Sequence, residues 1–182
     1  MGPSLTLILN MKQLRIEIPG FITHIAKTKT KWVKINGQRL YTGMNHHLRA
    51  LIIRRMHTYI QQYIPNGLDI RKMAPLKIKL EVHTVINHGD IRMYKGDLRW
   101  RPPKKGYTAR WDVDNLWIWI KSFQDTIVEM GLIDDDNCNV IPNTGEIEFI
   151  PVETLKERKL VFIITKYKRK RYENRSRKSF IS

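Results

Sequence analysis

Carboxylates are scarce in this chain, and the ones that cluster do so at two places. Asp112 and Asp114 flank Val113 and run into Asn115, while Asp134, Asp135 and Asp136 follow Gly131-Leu132-Ile133. The residues between, 115–130, carry apolar side chains at helical spacing, so one acidic group enters a helix and the other leaves it. In an extended segment Asp112 and Asp114 share a side, because side chains alternate with period two. A helix of about 16 residues holds its two ends about 25 Å apart, at roughly 1.5 Å per residue. The two groups therefore meet only if the chain after Gly131 folds back along the helix, or if two subunits meet. Converged carboxylates repel by up to about 4 kcal/mol per close pair at an effective dielectric of about 20, and a divalent cation removes that penalty. Oxygen-only ligands point to Mg²⁺ or Mn²⁺ rather than zinc. Such an ion activates water and stabilises the leaving oxygen of a phosphodiester.

Lys121 stands seven residues after Asp114 and returns to the same helical stripe after two turns, with Asp125 one turn further. A lysine there can hold a scissile phosphate or stabilise transition-state charge. Plainer readings stand beside this one. Asp112 or Asp114 caps the helix, residues 134–136 form a polar turn, and Lys121 with Asp125 is a surface pair worth a few tenths of a kcal/mol, roughly. A D-x-D pair also occurs in nucleotide-sugar transferases. The small size, the missing glycine-rich phosphate loop and the charge speak against that class.

Several elements must position these residues. Residues 14–18 alternate (LRIEI) and predict a strand, and residues 31–35 and 39–42 about Asn36-Gly37 predict a β-hairpin. A helix follows over 45–64, with Leu48, Leu51, Ile52, Met56, Tyr59, Ile60 and Tyr63 as its buried stripe and Arg49, Arg54 and Arg55 solvated elsewhere on it. Pro65 and Gly67 end that unit. Residues 76–85 form a half-buried strand, Leu76, Ile78, Leu80 and Val82 inward, Lys77, Lys79, Glu81 and His83 outward. Residues 146–150 and 159–165 are two more strands, the second apolar enough to be central. The order predicts an α+β fold, a small mixed sheet with two main helices packed on it.

The 182 residues suit one domain, 1–165, and the 42% apolar content excludes wholesale disorder. No apolar run reaches the roughly 18–20 residues of a membrane span. The apolar start (LTLIL) lacks a basic lead and a small-residue cleavage site, so it is not read as a signal peptide. The single Cys138 fits a reducing compartment and a cytoplasmic, DNA-associated protein. The six histidines show no metal-ligand spacing and read as surface or satisfied polar residues. Thirty-three Lys and Arg against 17 Asp and Glu give +16, which favours a polyanionic partner through counterion release, with solubility or a ribosome-like scaffold as the plainer account. Residues 166–182 form a basic tail with eight Lys or Arg against Glu173; 25 of the 33 basic and 16 of the 17 acidic residues remain, +9. The long segment 86–111 interleaves Arg92, Lys95, Arg99, Arg101, Lys104, Lys105 and Arg110 with Tyr94, Trp100, Tyr107 and Trp111, and Lys95-Gly96-Asp97 turns a small hairpin inside it. Cations and aromatics together suit phosphate contact and base stacking; the plainer reading is a surface ribbon whose tryptophans cover the core.

The run Asp112-Val113-Asp114-Asn115-Leu116, then Lys121-Ser122-Phe123-Gln124-Asp125-Thr126-Ile127, then Gly131-Leu132-Ile133-Asp134-Asp135-Asp136 resembles the RusA family of Holliday-junction resolvases, small and often phage-encoded endonucleases with a D-x-D-N-L, K-x-x-x-D-A-L, G-x-x-x-D-D signature. The strong match covers about 25 residues. The resemblance implies a homodimer that binds four-way DNA junctions and cuts them symmetrically with Mg²⁺. Asp112, Asp114 and Asp136 would be the metal-binding carboxylates, Asp135 would stand beside them, and Lys121 would be the active-site lysine. Two departures matter. The family's lysine usually follows the second Asp by four residues, where this chain has Ile118 between Trp117 and Trp119. The triple Asp, followed by Asn137-Cys138-Asn139-Val140, leaves the ligand choice open by one position. A relative that grips branched or single-stranded DNA without cutting it is the second expectation.

Overall fold

The strict alternation of 76–84 and the apolar run of 159–166 build one sheet, and the rest of the fold is arranged on it. In chain order the elements are β1 (Gln13–Pro19), β2 (His24–Ala26), β3 (Trp32–Lys34), α1 (Gly37–Thr42), α2 (His46–Gln61), β4 (Leu76–Thr84), β5 (Asp90–Tyr94), β6 (Asp97–Arg101), α3 (Val113–Glu129), β7 (Asn143–Pro151) and β8 (Lys159–Lys166). The computed structural model describes residues 13–20, 22, 24–26, 32–35, 37–85, 90–94, 97–101 and 113–168. The fold is α+β, with a main sheet in the order β1-β8-β4-β7 and a smaller one in the order β3-β2-β5-β6.

As its composition requires, β8 is central: it pairs antiparallel with β1 on one side and β4 on the other, and β7 joins β4 in parallel. The register stacks three apolar rungs on one face: Leu14–Ile164–Ile78, Ile16–Phe162–Leu80 and Ile18–Leu160–Val82. The parallel β4–β7 pair needs a crossover, and α3 supplies it. Its Phe123 lies flat on Phe162, ring centroids 4.0 Å apart. Gln124, also buried, donates to Thr144 Oγ1 of β7 at 2.9 Å. A second layer is α2. Its Tyr59 meets Trp119 of α3 edge-on at 6.4 Å, and the Tyr59 hydroxyl, 2.8 Å from the carbonyls of both Pro19 and Gly20, ties the helix to the end of β1.

Three expectations are corrected. Residues 39–42 are not the second arm of a hairpin: β3 pairs with β2, and 37–42 form α1. That short segment has one residue for the core, Leu40, and as a helix packed on α3 it buries Leu40 completely. On α2, Leu51 is exposed, because it lies about 100° round the helix from Ile52; His57 is buried in the stripe instead. The sheet is two sheets. The hairpin expected in the basic segment is present as β5 and β6, joined to β2 in parallel, with Arg92 opposite Arg99 in the register. Of the basic tail, Lys166 ends β8 and residues 169–182 lie outside the described residues.

Candidate active site

The site begins with how α3 stops. Gly131 takes φ +68°, its N–H donates to Val128 O at 2.8 Å, and the Leu132 N–H donates to Ile127 O at 2.9 Å. That bond pair is a Schellman cap, which reverses the chain at the helix end. Leu132 and Ile133 then bury themselves, and Leu132 O accepts from Ile70 N at 3.3 Å, so the segment is pinned as it turns back. The folding-back that convergence demands is therefore present. Asp136 returns alongside α3, and its Oδ2 lies 2.6 Å from Lys121 Nζ.

Lys121 is the hub. Its ammonium also pairs with Asp125 Oδ1 at 2.7 Å, one turn on. Burial pulls the Lys121 pKa down, but the hydrogen bonds to Asp125 and Asp136 outweigh it and hold the group above the ordinary lysine range. Asp114, in the first turn of α3, stands about 10 Å from Lys121 along the axis, at roughly 1.5 Å per residue. Ile118, where the resolvase pattern has its lysine, is core at 1% exposure. A lysine could not reach solvent from there, and Lys121 is the position on this stripe that can.

The three consecutive aspartates divide the work. Asp136 meets Lys121. Asp135 builds the turn: its Oδ1 accepts from Asp136 N at 2.7 Å and its Oδ2 from Asn137 Nδ2 at 2.6 Å. Those bonds, the Asn137 side chain first, hold its carboxyl below the usual aspartate range. Asp134 is exposed and lies within electrostatic reach of Arg71. Asp112, Lys95, Lys104, Lys105 and Arg110 lie outside the described residues, as does the side chain of Asp114. Arg92 lies on β5, and Arg99 and Arg101 on β6. Among the described residues no three His, Cys, Asp or Glu side chains form a metal cluster. Of the three carboxylates that the resemblance assigns to a metal, Asp136 is the one whose side chain is described, and it pairs with Lys121.

Sequence reasoning missed the neighbour that extends this charge chain. His57 of α2 sits with Nδ1 3.0 and 3.1 Å from the two carboxylate oxygens of Glu129. Its Nε2 is buried, makes no hydrogen bond among the described residues, and stands 4.0 Å from Asp125 Oδ2. Asp136, Lys121, Asp125, His57 and Glu129 thus form one continuous line. Tyr41 of α1 borders it: burial first, then the Asp125 charge, push its hydroxyl pKa up. The available signal was the place of His57 next to Met56, on the side of α2 that packs against α3. No protein-family model matches the chain, and no curated protein gives a significant match.

Proposed function

We propose that this chain is a Mg²⁺-dependent, structure-selective DNA endonuclease that resolves four-way junctions by paired symmetric cuts. One observation carries the reading: the Schellman turn after α3 returns Asp136 to Lys121, on the helical stripe that begins at Asp114. Asp136 thereby lies beside the stripe of α3 to which position 114 also belongs. Asp112, Asp114 and Asp136 would hold the ion, with Mn²⁺ a workable substitute. When bound, the ion supplies an activated water and stabilises the leaving oxygen. Lys121 meets the phosphate, and Asp125 keeps its ammonium aimed and protonated. Asp135 holds the turn that presents Asp136, a positioning task. Two symmetric cuts need two sites related by a two-fold axis, hence a homodimer. The basic residues Arg92, Lys95, Arg99, Arg101, Lys104, Lys105 and Arg110 would hold the junction arms, in the host cytoplasm if the chain is phage-encoded.

The test is a labelled four-way junction, with a duplex control, in EDTA and then in Mg²⁺. Paired symmetric nicks that need Mg²⁺ and vanish in D114N and D136N are the expected result. A second reading, a branched- or single-stranded-DNA binder without cleavage, is favoured by the double engagement of Lys121, whose ammonium is already claimed by two carboxylates. A junction shift in EDTA with no product in Mg²⁺ or Mn²⁺ would select it.

A further inference from the structure

A groove of about 590 Å³ runs along α2, lined among others by His46, Arg49, Arg54, His57, Thr58 and Glu129. Its chemistry is one-sided. The 16 residues of α2 include no acid. Among the described residues, Arg49 and Arg54 make no ion pair. Glu129, the acid in the lining, is engaged by His57 Nδ1. The buried Nε2 of His57 makes no hydrogen bond among the described residues. Arg49 and Arg54 are about 7.5 Å apart along the helix axis, at roughly 1.5 Å per residue, which is about two nucleotide steps of a duplex strand at roughly 3.4 Å each.

We propose that this groove is a track for the phosphodiester backbone of DNA, with Arg49 and Arg54 contacting phosphates about two steps apart on one strand. The proposal rests on the nucleic-acid reading above and adds to it a surface that the basic segment 86–111 does not include. Continuity supports it. His57 belongs both to the groove and to the charge line, 4.0 Å from Asp125, which holds Lys121. A strand lying in the groove therefore passes the candidate active site. Open, elongated and cationic, the groove suits a backbone that continues past both ends.

The test uses the full chain in EDTA, with fluorescence anisotropy of a labelled four-way junction across a salt series. R49Q/R54Q is compared with the wild type, and each single variant guards against a folding defect in the double. Each lost phosphate contact lowers the slope of log K against log salt by about 0.9, so the double variant should lose about 1.8 and each single about half of that. R49K/R54K, which keeps the charges, should keep the slope. Equal slopes in wild type and R49Q/R54Q would overturn the track, even if Mg²⁺-dependent cutting is seen. A changed slope in EDTA, together with no junction product when Mg²⁺ or Mn²⁺ is added, would uphold the track and sink the endonuclease reading. A wild type with no affinity for DNA would end both.

Discussion

The outer face of the main sheet and the helical face treat charge in opposite ways. On the sheet, cations meet acids across the strands: Arg15 with Glu81 at 3.0 Å, Lys77 with Glu146 at 2.5 Å, Lys79 with Glu148, and Lys159 with Glu17 at 2.8 Å. These pairs frame Val161 and Ile163, buried residues of the central strand on the side away from the helices. On the helical face, α2 supplies arginines and histidines with no acid among them, and Lys121 of α3 is shared between two carboxylates. The sheet charges form a cross-strand network within the fold, with Glu81 shared by Arg15, Lys79 and His83. The helical face holds a cationic groove beside a knot of acids.

The sharpest way to break that contrast is Lys121→Met. If the helical face is the working one, junction cleavage falls at least about 100-fold, in line with losing a group that stabilises transition-state charge, while the urea midpoint falls only by the small contribution of the two Lys121 ion pairs. An unchanged cleavage rate would leave Lys121 a mere helix-surface pair. Next in size is His57→Ala. It removes a buried, hydrogen-bonded ring between α2 and α3, and unfolding should be easier by about 1–3 kcal/mol, the range for disrupting a buried polar contact. A change within experimental error would mean that the His57–Glu129 contact holds nothing together. Smaller still is Lys79→Met on the sheet. Solvent screening limits an exposed pair to about 0.2–1 kcal/mol, so a slight loss of stability with full cleavage is expected. A large drop in cleavage would place function on the wrong face.

Much of the scaffold was legible because its periods are long and clean. Leu76, Ile78, Leu80 and Val82 alternate without a fault, and all four are fully buried in β4. The apolar run at 159–165 lies at the centre of the sheet as composition suggested. The hidden parts are short. Three-residue strands β2 and β3 and the six-residue α1 hold too few side chains to display a period, and neighbours decide their form. For the site, Gly131 announced a helix end, but how far the chain would return along α3 depended on Leu132 and Ile133 finding the core. His57 was illegible for the opposite reason. A lone histidine on a basic helix reads as solvated until the partner helix puts Glu129 beside it.

The two faces should also part company with pH. For Glu81, burial raises the carboxyl pKa, but the hydrogen bonds of His83 and Arg15 outweigh it and leave the group below the ordinary glutamate value; Lys77 does the same for Glu146. A depressed folded-state pKa means stability that is complete above the unfolded value, about 4.3 for glutamate, and lost as pH falls through the folded one. Lys121 has the reverse sign. Its raised pKa gives stability complete below the ordinary lysine value, about 10.4, and lost as pH rises through the folded one. The gap in urea midpoint between wild type and Glu81→Gln should therefore close as pH falls from about 6 to below the glutamate range, while the gap between wild type and Lys121→Met should close only in strong alkali. Between those limits Glu81 and Lys121 both keep their charges. A Glu81→Gln gap that survives undiminished in acid would mean that the sheet pairs contribute through their packing over Val161 and Ile163 rather than through charge. The contrast between the faces would then be one of geometry alone.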